Sequence, residues 1–230
     1  ISADFRNGTR SKKTVRDISM KFTLCITCWS KDVHMLNETL SSFKAQEDVA
    51  DEVIVVGNDL REIKVQDSTI RTFAEPTRRS PSFNRNKGAE IASGDVIIYH
   101  DVDDLPHPQK IHFIKRAFLE HDVDAFVHGF SEGMMYPYRY GDLEIERISK
   151  IKQDQYLHSD ICTDGDLHHG HLSIKKDLVT KYQYNEDIYF GEDADFIKRV
   201  FLAGHHVAYG NHKLINYQPS YKTDRRWYHV

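Results

Sequence analysis

Apolar runs of four to seven residues alternate along this chain with stretches whose apolar positions step by three and four. FTLCITC, Phe22–Cys28, reads as a buried strand. Val33, Leu36, Leu40 and Phe43 then step by three, four and three, which predicts a helix with Asp32 as its cap. DEVIVVGND is a second buried strand, turning at Gly57-Asn58, and TIRTF is a shorter third. Asn84–Ala92 predicts a helix, and Gly94-Asp95 turns the chain into the strand VIIYH. Pro108 suits the first turn of a helix whose Ile111, Ile114, Ala117 and Phe118 share one face. DAFVHG is strand-like, a short strand follows the histidines of LHHGHLSIKKD, Ala194–Ala203 is a helix closed by Gly204, and HVAY is a last strand.

Strands that are apolar almost throughout, separated by helices, predict a single-domain α/β fold: a mixed, mainly parallel sheet flanked by helices. In such sheets ligands gather beyond the carboxyl ends of the strands. Thr27-Cys28-Trp29, Asn58-Asp59 and Asp101 all end strands, so several polar positions converge on one rim.

Composition narrows the possibilities. A length of 230 residues suits one full domain, here residues 20–230, with 1–19 as a disordered leader or linker. The net charge of -4 supplies no basic field, which argues against broad nucleic-acid binding. No apolar run approaches membrane-spanning length, and the polar, basic N-terminus does not read as a signal peptide. Cys25 and Cys28 form a C-x-x-C inside a strand-like run with no second pair, so with Cys162 they read as buried free thiols. That suits a reducing compartment, and the expected location is cytoplasmic.

The chemistry concentrates in acidic residues. IIYHDVDDLPHPQ places Asp101, Asp103 and Asp104 directly behind an apolar strand, where their mutual repulsion needs either water or a counter-charge. The Asp101-Val-Asp103 spacing lets two carboxylates serve one divalent cation, and an all-oxygen set favours Mg2+ or Mn2+ over zinc. A solvated turn ahead of the Pro108 helix has the same spacing. In YFGEDADF, Glu192, Asp193 and Asp195 open the last helix, where carboxylates complement the helix dipole. One there is also placed to take a proton from an incoming hydroxyl.

Together, the GND turn, RNKGAEIASGDVIIYHDVDD and GEDADFIKRVFLAGHHVAY make the chain resemble the nucleotide-sugar glycosyltransferases of the GT-A fold, from about Phe22 to Tyr217. In compactness it is also similar to glycosyltransferases encoded by large DNA viruses such as the chlorella viruses. The resemblance implies a metal-dependent transfer from a UDP-sugar donor to a glycan, glycoprotein or other hydroxyl acceptor, with Mn2+ or Mg2+ as cofactor. It implies that Thr27 and Trp29 meet the nucleotide base and ribose, and that Asn58 and Asp59 read the base. Gly57-Asn58 departs from the more acidic turn usual in the family. Arg85 stands at the Arg of R-N-x-G, contacting the nucleotide or bracing the aspartates. Asp101 touches the ribose or a metal-bound water, Asp103 binds the metal, and Asp104 orients its neighbours. Asp193 is the acceptor-activating carboxylate, with Glu192 beside it.

Tyr217 occupies the position expected for a further metal ligand, which leaves His212 or His229 as candidates. His168, His169 and His171 read as pocket lining or a solvated loop rather than a zinc site, for which no partner of suitable spacing is evident, and Asp164 and Asp166 as sugar-hydroxyl acceptors or turn residues. Arg78 and Arg79 are candidates for a diphosphate clamp, and Arg225, Arg226 and Trp227 for a lid. The competing classes are a nucleotidyltransferase acting on sugar phosphates and a catalytically inactive sugar-binding module. The first would carry a Gly-rich basic loop after the first strand, whereas TCWSKDVHML has no glycine.

Overall fold

The computed structural model describes residues 20–132, 139–148, 171–189 and 191–217. Among them, nine strands form one sheet: β1 Phe22–Trp29, β2 Glu52–Asn58, β3 Arg71–Glu75, β4 Val96–Asp101, β5 Leu105–Pro106, β6 Ala125–Glu132, β7 Ile145–Arg147, β8 Ser173–Lys175 and β9 Val207–Tyr217. The helices are α1 Leu36–Lys44, α2 Pro81–Ile91, α3 Lys110–His121, α4 Lys176–Tyr182 and α5 Glu192–Leu202. The spatial order is β3-β2-β1-β4-β8-β6-β9-β5, with β7 also paired to β9. Long parallel ladders join β3 to β2, β2 to β1, β1 to β4 and β6 to β9; the antiparallel ladders through β8, β5 and β7 are only two or three pairs long. The sheet is therefore the mixed, mainly parallel α/β sheet that the alternating pattern predicts.

Alternation along the central strands divides two cores. Phe22, Leu24, Ile26 and Cys28 of β1, with Val96 and Ile98 of β4, pack under α1 and α3. Cys25, Ile97 and Tyr99 face the other way, toward α2, α4 and α5. With a period of two, Asp101 inherits the α2 face and His100 the α1/α3 face. His100 accordingly meets Phe43 of α1 edge-on, with ring centroids 4.7 Å apart.

Glycine sets how closely α2 approaches. A Cβ on Gly88, the glycine of RNKG, would collide with the Sγ of Cys25. Its absence lets the helix lie directly on β1 and carries Arg85 to the strand ends. Cys25 and Cys28 are buried free thiols, as the pattern predicts, and burial pushes Cys28 up to about 12. Cys162 lies outside the described residues. No helix among the described residues is long and apolar enough to cross a membrane.

Several local expectations change. A 3-10 turn, Val33–Met35, precedes α1, and Asp32 makes no side-chain capping bond. The second helix starts at Pro81 rather than Asn84, because Ser80 is extended and proline fits the first helical position. The two-residue β5 and the seven-residue α4 carry no readable period.

Candidate active site

A cleft of about 880 Å3 opens beyond the carboxyl ends of β1, β2 and β4. Thr27, Cys28 and Trp29 end β1, Asn58 ends β2, and Asp101, Val102 and Asp103 leave β4; Asn84 and Arg85 come from α2 and Glu192 from α5. The parallel register aligns Thr27 with Asp101 and Trp29 with Asn58. As a result the Thr27 hydroxyl donates to Asp101 Oδ1 at 2.6 Å.

Arg85 is the buried hub. It is 3% exposed, with Nη1 donating to Glu192 Oε1 at 2.6 Å and Nη2 lying 3.4 Å from Asp101 Oδ1. Burial works against its charge, but Asp101 and Glu192 outweigh that and hold the guanidinium above its ordinary pKa. Tyr99 fixes the backbone beneath it by donating its hydroxyl to the Arg85 carbonyl at 2.8 Å. Asn84 donates to the Cys28 carbonyl and accepts from Asn58, tying α2 to two strand ends.

The three aspartates behind β4 meet three different environments. Asp101 is answered by Thr27 and Arg85. Asp104 is 1% exposed and accepts from His171 Nε2 at 2.7 Å. Asp103 has no cationic side chain bonded to it among the described residues. Burial, then the charges of Asp101 and Asp32, push its carboxyl up to about 7. Asp101 and Asp104 are thus answered by side-chain donors, whereas Asp103, which lines the cleft beside Asp101, has no cationic side chain bonded to it among the described residues. A divalent cation fits that deficit, and Asp103 and Asp101 offer oxygen donors suited to Mn2+ or Mg2+. No three His, Cys, Asp or Glu side chains among the described residues converge closely enough to hold a metal alone. A ligand's own oxygens would have to complete the shell.

Other residues depart from expectation. Asp59 is exposed in a left-handed turn at φ 59°, accepts the Ser30 hydroxyl at 2.7 Å, and does not line the cleft. That corrects the placing of Asp59 at the nucleotide, whereas Asn58 does line the cleft and its Oδ1 accepts from the Arg79 amide at 3.3 Å. His212 does not join the aspartates. Its ring stacks on Tyr140 at 4.2 Å and meets Phe113 edge-on, and burial pushes its imidazole below the ordinary value. That corrects its assignment as a metal ligand. Asp193 is buried next to Glu192, and its Oδ1 accepts the Ala194 amide at 2.8 Å. It is absent from the cleft lining, where Glu192 appears.

Arg78 and Arg79 do reach the cleft, and the Arg78 guanidinium sits 4.6 Å from the Trp29 ring centre. Asp32 and Tyr189 also line it. Asp32, read from sequence as a cap, lies three residues past the end of β1, and burial raises its carboxyl pKa. Its place just beyond a strand end was the signal available. His168, His169, Asp164, Asp166, Arg225, Arg226, Trp227 and His229 lie outside the described residues.

The mixed, mainly parallel sheet flanked by helices is similar to that of GT-A glycosyltransferases, and solved structures share the fold. TarS of S. aureus, residues 1–349, superposes with a TM-score of 0.66 at 16% identity, over 87% of this chain and 61% of that one. Its complex with UDP-GlcNAc gives 0.65 at 16%, over 86% and 58%, and a mycobacterial protein gives 0.56 at 14%, over 86% and 67%. At such identity the likeness is one of fold, and the chain spans about three fifths of the TarS structure. No curated protein sequence matches the chain. The family model for glycosyl transferase family 2 matches residues 23–182, more than half of the chain, and the chain belongs to that family.

Proposed function

We propose that this glycosyltransferase uses a UDP-sugar donor with Mn2+ and passes the sugar to a hydroxyl of a glycan. The observation that carries the proposal is Asp103: it lines the cleft with no cationic side chain bonded to it among the described residues, and its carboxyl is pushed up to about 7. The TarS fold, captured with UDP and with UDP-GlcNAc, supports the donor class.

Asp103 and Asp101 would hold the cation, whose chemistry is to neutralise the leaving diphosphate. Arg78 and Arg79 add guanidinium groups suited to phosphate oxygens. Trp29 offers an aromatic face for the base, and Thr27 and Arg85 hold Asp101 in one orientation. Glu192 is tied to Arg85, and the resemblance gives the proton of the acceptor hydroxyl to Asp193, which stands behind Glu192 at the start of α5 and would have to turn toward the cleft to take it.

Calorimetric titration with UDP, with and without Mn2+, tests this. Mn2+ is expected to tighten UDP binding by at least about tenfold, equivalent to about 1.4 kcal/mol. Protons compete with the cation for Asp103, so the enhancement should be weak at pH 6, grow as pH rises through about 7, and vanish in Asp103→Asn. Equal UDP affinity with and without Mn2+ would reject metal-assisted donor binding. Binding of a free glycan without any nucleotide response would mark an inactive sugar-binding module instead.

A further inference from the structure

We infer that Lys110, His100 and His171 form a buried positioning relay that holds the Asp101–Asp104 loop in shape through Asp104. All four side chains of the group are at most 1% exposed. The Lys110 Nζ lies 3.0 Å from His100 Nδ1 and 3.1 Å from His171 Nδ1. On the far side of the rings, His171 Nε2 lies 2.7 Å from Asp104 Oδ2 and His100 Nε2 lies 3.0 Å from the Asp104 carbonyl.

Directionality follows from the lysine. Burial pushes Lys110 down to about 7, with Asp104 and Asp101 opposing it, so below that pH the side chain is an ammonium, which only donates, and both Nδ1 atoms accept. Each neutral ring then carries its proton on Nε2, and both donate to Asp104, one to its carboxylate and one to its carbonyl. The Asp104 amide donates in turn to the Asp101 carbonyl at 3.2 Å, so the residue is tied at every polar group. Val102 is tied as well: its amide donates to the Thr27 carbonyl at 3.0 Å, and its carbonyl accepts the Thr39 hydroxyl at 2.7 Å. Three of the four loop residues are thereby fixed from inside the protein, which leaves the Asp103 side chain presented to the cleft.

Apolar side chains would fill the same space without the cost of burying an ammonium and a carboxylate. What the polar group adds is direction. The bonds at Asp104 have fixed angles and come from the end of β4 and the residue two before β8, and Lys110 at the start of α3 orients both rings that make them. The relay's role in catalysis rests on the proposed donor reading, whereas its hydrogen-bond pattern does not.

The test has two arms. Long-range nitrogen–proton spectra of histidine-labelled wild-type protein at pH 6 report the ring protons directly. His100 is identified through its contact with Phe43, and His171 through its contact with His100. Both rings should be neutral with the proton on Nε2; an imidazolium or an Nδ1–H ring at either position overturns the relay. In the second arm, Lys110→Met is compared with wild type for Mn2+ affinity in the presence of UDP, by electron paramagnetic resonance of free Mn2+. Supporting bonds of this kind typically matter 10- to 100-fold, so a loss of about that size is expected in a variant still folded by circular dichroism. Unchanged Mn2+ affinity in folded Lys110→Met overturns the positioning role. A wild-type chain that binds no Mn2+ overturns the donor reading alone, and the ring spectra still uphold or overturn the relay.

Discussion

Replacing Arg85 by Met should cost about 3–5 kcal/mol of folding stability, the range expected when one partner of a buried ion pair is removed. Arg85 is 3% exposed and is the cation that both Glu192 and Asp101 use. Without it, a nearly buried Glu192 faces Asp193 and Asp101 with no intervening positive charge. Burial already raises the Glu192 carboxyl pKa, with Asp193 and Asp101 adding to that and Arg85 opposing it. The variant should therefore keep its Glu192 proton to higher pH than wild type does, and its stability should recover partly in the double variant Arg85→Met, Glu192→Gln. Urea denaturation followed by circular dichroism measures both. A loss below about 1 kcal/mol would mean that Arg85 is not the counter-charge of the cluster.

Asp193→Asn should lower the transfer rate by roughly 10²- to 10⁴-fold, the contribution typical of a general base, while leaving UDP affinity within a few-fold of wild type. The substitution keeps the size and removes the basicity. Its Oδ1 contact with the Ala194 amide survives, since an amide oxygen accepts as a carboxylate does. UDP release in a coupled assay, with and without acceptor, separates transfer from binding. A variant that transfers at the wild-type rate places the base elsewhere. One that loses UDP binding along with activity assigns Asp193 to the support of Arg85 and Glu192.

The expected results trace back to features unequally visible in the sequence. The ends of β1, β2 and β4 were legible because apolar runs stop abruptly at Thr27, Asn58 and Asp101, and parallel strands gather such ends on one rim. Arg85 was legible only through its R-N-x-G context; its burial depends on Gly88 letting α2 rest on Cys25, a distance no periodicity reveals. Asp32 was misassigned because an acid before a helical run looks like a cap, whereas the chain inserts a 3-10 turn and brings the carboxylate to the cleft. His212 looked like a ligand by position near the C-terminus, yet its strand face turns it onto Tyr140 and Phe113.

The acidic cluster itself carries the clearest lesson. Charge spacing in DVDD signals repulsion but not its relief. The cations that answer Asp101 and Asp104 are Arg85 and, through His171, Lys110, which stand 16 residues before Asp101 and six after Asp104 and lie on opposite faces of the sheet. Only the fold shows that Asp103 is the acid left unanswered.

Anomalous scattering from crystals grown with Mn2+ and UDP tests that point most directly. A manganese peak within bonding distance of the Asp103 carboxylate, completed by diphosphate oxygens, is the expected result. Bound UDP with no manganese beside Asp103 would contradict it.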